Sequence, residues 1–544
     1  MRFFKIASLA CLVMTVSLAH AQMNPKIKLQ DALKLIQDNY VDPINDEHVV
    51  DAAIKGMLGN LDPHSSYISR EDVEAMNESM TGSFAGIGIQ FAMVADSTFI
   101  TGINADGPAA KAGLIVGDRI TTIDGQAIFG KGLKNQEVMR MLRGEKGRVV
   151  KLLVKRRMQS TPLEFSVTRA PIAELSISAA YMVDKNIGYI ALSIFSQSTR
   201  REIDEAIKQL KDQGMTKLII DLQSNGGGLV EAAIGVADEF LPKDKMVFYS
   251  ITNTGVRDHY LTGGFGRFMT GNLVVLIDES TASSSEILTG ALQDWDRAVV
   301  VGRRSFGKGL MQKPIPLSDG SVIRLTAARY YTPSGRSIQK PYGKGKTDYF
   351  EDFNRRMASG ELKDGGHLTY PDSLKFRTLT NRRAVFGGGG IMPDAFIPID
   401  TALYSVWLNK AMSSGIVTQA AFNEVEKHRK DLNEKYKDFE SFDRQFTVGN
   451  DMIDSIFTKA KSIGVQMPPK SDSVARTAIG VEIKALIADM LYVGKGFAVR
   501  VRNESSAAFS TARSILMDDT KYKNLLNENT NPNKASFKNK NTKR

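Results

Sequence analysis

Two continuous apolar runs, Lys217–Leu222 and Leu273–Asp278, constrain the fold more than any other feature of the chain. Neither alternates apolar with polar residues, so neither suits a strand with one wet face. Both suit strands buried on both sides of a sheet. Each is followed by a small-residue loop and then a helical pattern, Leu229–Leu241 after the first run and Glu286–Asp294 after the second. Repetition of strand, loop and helix predicts an α/β core, here over residues 171–400. The texture differs on either side. Residues 25–78 read as helical, with Leu29, Leu33 and Ile36 on one face and a second run from Val49 to Leu58. Residues 81–169 are short β-rich runs broken by glycine, and residues 401–520 are helical and highly charged, with Pro468-Pro469 as a break. For 544 residues this division agrees with the roughly 100–200 residues expected per domain.

The two ends carry separate signals. Arg2 and Lys5 precede an apolar run, Ile6–Leu18, and Ala19-His20-Ala21 follows as a small-residue cleavage pattern. Residues 1–21 therefore read as a secretory signal peptide removed after Ala21; the run is shorter than the roughly 20 apolar residues of a spanning helix. Export to a periplasm of Gram-negative type, or to the exterior, is expected. Cys11 is the only cysteine, so the mature chain is expected to have no disulfide, no thiolate catalysis and no cysteine metal site. Formal charge is +11, reduced by two on loss of Arg2 and Lys5, and much of the excess lies in residues 521–544. That stretch of Lys and Asn reads as a solvated, disordered tail rather than a nucleic-acid arm, because an exported protein rarely meets nucleic acid.

Three loops of the core could do chemistry. In Glu279-Ser-Thr-Ala-Ser-Ser-Ser285, Ser283 and Glu286 fit the S-x-x-E helix cap, with Ile287, Leu288, Ala291 and Leu292 as the buried stripe behind it. The same geometry places Ser283 beside free N–H groups at a positive helix end, where an oxyanion can be held. The segment Gly302-Arg-Arg-Ser-Phe-Gly-Lys-Gly309 nearly matches a phosphate-binding loop. Gly309 stands where the metal-binding hydroxyl belongs, however, and Pro314 and Pro316 forbid the helix that should follow. Consecutive glycines Gly226-Gly227-Gly228 leave backbone N–H groups open to an anion. A serine at a helix start, a lysine in a glycine-flanked loop and a donor loop on a neighbouring strand together make a coherent site. The five remaining histidines, His48, His64, His259, His367 and His428, show no adjacent orienting acid in a core loop. Lysine can replace histidine as base when burial lowers its pKa.

On these residues the chain resembles the C-terminal processing, or tail-specific, proteases, from about residue 29 to 400. Thr281-Ala-Ser-Ser-Ser-Glu-Ile287 matches their S-A-S-A-S-E-I segment, with Thr281 and Ser284 departing from it. The resemblance implies Ser283 as nucleophile. Phe306-Gly-Lys-Gly-Leu-Met-Gln312 matches F-G-K-G-x-x-Q, implying Lys308 as general base and Gln312 as the side chain that orients it. Gln293-Asp294 matches a helical Q-D pair, and Asp294 is expected behind the catalytic pair as a structural support. Asp221-Leu-Gln-Ser-Asn-Gly-Gly-Gly228 matches D-L-R-x-N-P-G-G, with Gln223 for Arg and Gly226 for Pro. The implied oxyanion hole is Gly227, Gly228 and Ser284, with the choice of glycine left open. The resemblance also identifies residues 81–169 as a PDZ domain. Gly86, Ile87, Gly88 and Ile89 would hold a peptide's C-terminal carboxylate while the peptide adds a strand to the sheet edge. Asp62-Pro-His64-Ser-Ser-Tyr67 and Gly387–Asp394 look like further signatures with structural roles, His64 as a packing or turn residue.

The implied molecule is multi-domain α/β: an N-terminal helical segment, a β-rich PDZ domain, a crotonase- or ClpP-like serine protease core and a helical C-terminal extension. Its partners would be proteins or peptides with free C-termini, with room for an adaptor or regulatory protein and for self-association. No cofactor, metal or nucleic acid is expected. Two rivals make different demands. A silent PDZ scaffold would have lost Ser283 or Lys308, and a hydratase-type acyl-binding fold would need neither Lys308 nor the PDZ domain.

Overall fold

The computed structural model describes residues 24–527, apart from 95–96, 105, 158, 365–370, 401–404, 470–471 and 493–495. The expected signal peptide, Cys11, His367 and the part of the expected tail beyond Asn527 lie outside the described residues.

Helix α1, Pro25–Asn39, begins where the Asn24 side chain accepts a first-turn N–H and Pro25 supplies a helical φ. It buries none of its residues, leaving Leu29 and Ile36 exposed. Helix α2, Asp46–Gly59, is capped by Asn45 and carries Asp46 and Glu47 at its positive end. The region read as wholly helical also contains a strand, β1, Ser66–Ile68, which joins a sheet of the core. Helix α3, Arg70–Thr81, ends at Gly82 with φ +69°.

Next comes β2, Ser83–Gly86, paired antiparallel with Ala170–Ala173, so the β-rich domain enters and leaves through one ribbon. Its sheet runs in the order β3 (Ile89–Val94), β4 (Ser97–Ile103), β5 (Arg119–Ile123), β6 (Val149–Lys155) and β7 (Leu163–Thr168), all pairs antiparallel. Ile100, Ile120, Ile123, Val150, Leu152 and Val154 fill its core. Among the described residues strand β3 pairs with β4 only, so its other edge has no strand partner.

The core of residues 171–400 is a six-stranded sheet: β8 (Ile177–Met182), β9 (Ile187–Leu192), β10 (Lys217–Asp221), β11 (Leu273–Ile277), β12 (Val299–Gly302) and β15 (Ala395–Phe396). It is parallel except for the β8–β9 pair. All five residues of β11 are buried because both faces are covered. Leu273, Val275 and Ile277 meet helices α4 (Thr199–Asp212), α5 (Val230–Asp238) and α6 (Ser284–Asp294) through Ile203, Val236 and Leu288. Val274 and Leu276 meet the other layer. A second sheet is built on β14 (Val322–Tyr331), which pairs with β13 (Leu310–Pro316), with β1 and with Met246–Thr252.

Beyond residue 405 the chain does two different jobs. Helices α7 (Ile416–Lys435) and α8 (Ser473–Leu491) share a core of Val417, Val425, Ile479, Ile483 and Ile487. Phe422 packs on Phe99 of β4 with ring centroids 4.6 Å apart, joining this unit to the β-rich domain. Helix α9 (Ala507–Met517) lays Phe509, Ala512, Ile515 and Leu516 on the second face of the core sheet, against Ile219, Val274, Leu276, Val299 and Val301. The tail expected from residue 521 needs correction. Helix α10 spans Asp519–Asn527, because Tyr522 is buried and its hydroxyl accepts the Leu273 N–H at 3.0 Å.

Candidate active site

The loops after β10, β11 and β12 emerge at the carboxyl ends of parallel strands, where open α/β sheets place their sites. The β11 loop is folded by Asp278, whose carboxylate accepts the N–H groups of Ser224, Ser280 and Thr281. Thr281 donates its hydroxyl to Leu222 O at 2.8 Å and its carbonyl accepts the Phe306 N–H at 2.9 Å, tying all three loops together. The chain then turns sharply into α6 at Ser283, which has φ +57° and ψ −118°. That backbone is costly for a residue with a Cβ and persists only where surroundings impose it. Strained strand-to-helix turns of this kind present nucleophilic serines.

Lys308 lies in the β12 loop and donates from Nζ to Gln312 Oε1 at 3.0 Å. Gln312, beside a bulge in β13, donates in turn to His64 O at 2.5 Å, which fixes which end of its amide faces the lysine. Burial holds the Lys308 pKa below its ordinary value and Arg324 acts in the same direction, while Glu286 and Asp62 oppose them. The two predicted catalytic residues are joined by the backbone. Tyr330 of β14 donates to Lys308 O at 2.7 Å and to Ser283 O at 3.2 Å. Glu286 accepts the N–H groups of both Lys308, at 2.8 Å, and Ser283, at 3.0 Å.

The glycine loop corrects one expectation. The Gly227 N–H is already donated to Asn225 Oδ1 at 2.9 Å. Gly227 serves close approach instead: φ is +100°, and a Cβ there would lie 2.7 Å from Ser283 Cβ. The N–H groups of Gly228 and Ser284 have no partner among the described residues. They are held together by the Ser284 hydroxyl, which donates to Gly228 O at 2.8 Å. Asp294 also differs from expectation. It ends the 11-residue helix that Ser283 caps, about 16 Å along the axis at ~1.5 Å per residue. There it accepts the Ser334 N–H and pairs with Arg336, both side chains fully buried, so it braces the fold at the far end of α6.

Sequence reasoning missed three contributors. Tyr330 and the extra bonds of Glu286 carry no local signal. The Asp62–Tyr67 signature was visible, but not its place. Asp62 folds the turn by accepting from His64 N and Ser65 N, and so sets the carbonyl that orients Gln312. The His64 ring meets the Tyr349 hydroxyl at 2.9 Å, and burial, with the Lys308 charge second, depresses its pKa to about 4. Of the residues expected to act, Gly86–Ile89 stand apart from this site, at the turn into edge strand β3. Ile87 is buried there and Gly88 has φ +76°.

Family models match in the same order as these domains. Peptidase family S41 matches residues 186–346 and a PDZ domain residues 99–156. The activating protease CtpB N-terminal domain matches residues 13–72, and a family of unknown function, DUF8443, residues 407–494. The carboxy-terminal-processing protease of Bartonella bacilliformis is 34% identical over 431 residues, covering 77% of this chain and 95% of its own. CtpB of Bacillus subtilis is 33% identical over 316 residues, 58% of this chain and 65% of its own. Among solved structures, the photosystem II D1 C-terminal processing protease is 29% identical with a TM-score of 0.35, covering 58% of this chain and 91% of its own.

Proposed function

The chain belongs to the carboxy-terminal processing proteases, serine-type peptidases of family S41 with a PDZ domain, and from that premise we propose that Ser283 is its nucleophile and Lys308 its general base. One observation carries the assignment: a half-buried lysine, oriented by the neutral amide of Gln312, shares backbone anchors with a serine in a strained turn. A carboxylate in the place of Gln312 would favour the ammonium form and defeat a base.

In this mechanism the neutral Lys308 amine takes the Ser283 hydroxyl proton as Oγ bonds to the scissile carbonyl carbon. The carbonyl oxygen becomes an oxyanion between the N–H groups of Gly228 and Ser284. The Lys308 ammonium then gives its proton to the departing amine, leaving an acyl-enzyme. Water repeats the cycle through the same base and frees Ser283. Substrates would be proteins with free C-termini, held at β3 by Gly86–Ile89 while an unstructured stretch reaches Ser283.

Labelling with a fluorophosphonate followed by peptide mapping tests the nucleophile. Modification should fall on Ser283 alone, and Ser283→Ala should lose both labelling and cleavage while shifting stability by only about 1 kcal/mol. Cleavage persisting in that variant would show the nucleophile is elsewhere. We assign the protein to the space beyond the inner membrane, on the charged, apolar, small-residue order of residues 2–21. A mature N-terminus at Gln22 is expected, and an uncleaved cytoplasmic chain would overturn this.

A further inference from the structure

Glu286 makes more hydrogen bonds than a helix cap requires. A capping box asks one bond of it, from its carboxylate back to the Ser283 N–H, and that bond is present at 3.0 Å. Three others come from the neighbouring loop. Oε1 accepts the Ser305 hydroxyl at 2.5 Å and the Gly307 N–H at 2.7 Å, and Oε2 accepts the Lys308 N–H at 2.8 Å. The side chain is fully buried. Four donors converge on two oxygens, which suits the ionised, acceptor-only form; burial pushes the carboxyl pKa above its ordinary value, and these four bonds oppose that shift. Each end of the cluster is anchored. Ser305 Oγ also accepts the Ile391 N–H at 2.6 Å, and Phe306 N–H donates to Thr281 O.

We infer that Glu286 is a positioning residue of the catalytic pair: one buried carboxylate holds the Ser283 turn and the Lys308 loop at a fixed separation and places a negative charge behind the base. The inference rests on the Ser283–Lys308 assignment. Without the carboxylate, the remaining ties between the two loops are Tyr330, the Thr281–Phe306 bond and the buried Arg303–Glu279 pair, none of which touches the Ser283 or Lys308 N–H. A misplacement on the scale of 1 Å costs about 10²-fold in rate.

The charge gives a second readout. Four groups bear on the Lys308 amine: Glu286 from α6, Asp62 from the turn before β1, Arg324 from β14 and His64, which stays neutral. Glu286 and Asp62 favour the ammonium, so removing the Glu286 charge eases deprotonation. Glu286→Gln keeps the shape but turns an NH₂ group toward at least one backbone N–H donor, that of Gly307 or those of Ser283 and Lys308. Its kcat should fall about 10²-fold with KM within about threefold of wild type. The rising limb of kcat/KM against pH should move to lower pH. Ser305→Ala, which removes one donor and leaves the carboxylate, should lower kcat without changing KM, and keeps the inference testable if Glu286→Gln does not fold.

Rates are to be normalised to sites titrated by fluorophosphonate. A Glu286→Gln profile that overlays wild type after this normalisation would overturn the inference, since lost folding alone would explain the loss. Wild-type kcat in Ser305→Ala beside an unfolded Glu286→Gln would overturn it too. Retained activity in Lys308→Arg would instead sink the base assignment itself, and is read independently.

Discussion

Lys308 and His64 lie in the same site, and their proton affinities separate them as candidate bases. Burial lowers Lys308 from the ordinary value of 10.5, whereas His64 is pushed down to about 4. If Lys308 is the base, kcat/KM rises with pH as its ammonium deprotonates, with the half-rise below 10.5. A half-rise near 4 would assign the step to His64. Lys308→Arg keeps a cation that cannot deprotonate, and should lose about 10³-fold or more, like Lys308→Ala. The same shift has a stability consequence. Between the folded pKa of Lys308 and 10.5 the unfolded chain binds the extra proton, so stability rises with pH across that window. Lys308→Met should flatten this rise in thermal melts recorded against pH, and an unchanged slope would show that the lysine is not desolvated.

At the scale of elements, edge strand β3 and the Gly86–Ile89 turn before it make the PDZ reading testable. Gly88 has φ +76°, and a Cβ there would meet Ile172 Cδ1 at 3.2 Å. A β-branched residue in that conformation costs about 1–2 kcal/mol. A turn that relaxes to escape the strain moves the N–H groups offered to a carboxylate, and a misfit of about 1.4 kcal/mol is tenfold in affinity. Gly88→Val should therefore weaken binding of a free-carboxylate peptide about tenfold by calorimetry, and amidating the peptide should weaken wild-type binding at least as much. Equal affinity for acid and amide would remove the carboxylate from the recognition. Which elements the sequence disclosed follows from how local their causes are. The apolar run Leu273–Ile277 announced a strand buried on both faces, and every one of its residues is buried. Ser283, Lys308 and Gln312 sit in short contiguous motifs whose spacing survives in the fold. Tyr330 and the His64 carbonyl act through contacts 47 and 248 residues apart in sequence, which no local pattern encodes. Gly227 was misread for a related reason: a glycine loop shows which N–H groups are unobstructed, but not that Asn225 Oδ1 takes one of them.

For the molecule as a whole, the open question is why a protease core should need the chain beyond residue 505. The parallel sheet has two apolar faces, and α4, α5 and α6 cover one. The other, with Val274, Leu276, Val299 and Val301, is covered by α9 and α10. Strands β10, β11 and β12 end in the three loops of the proposed site, so wetting this face loosens the elements that set Ser283 and Lys308. Three side chains of α9, Phe509, Ile515 and Leu516, are among those that cover it. At about 1.5–3 kcal/mol each they contribute about 5–9 kcal/mol, comparable with the whole net stability of about 5–15 kcal/mol typical of a domain. Polar ties add direction rather than strength: Lys217 Nζ reaches Leu516 O at 2.7 Å and Asp519 at 2.8 Å, and Tyr522 binds the first residue of β11. A chain ending after Ser505 should therefore be insoluble or inactive although every catalytic residue is present, whereas one ending after Asn527 should match the full chain in melting temperature and turnover. Leu516→Ala, a smaller lesion at the same interface, should destabilise by about 2–5 kcal/mol while leaving KM unchanged in the folded fraction. Denaturant melts and turnover on an unfolded substrate decide the matter. A soluble, fully active protein ending after Ser505 would mean that the second face of the sheet is stable without its helices, and that the catalytic loops do not depend on it.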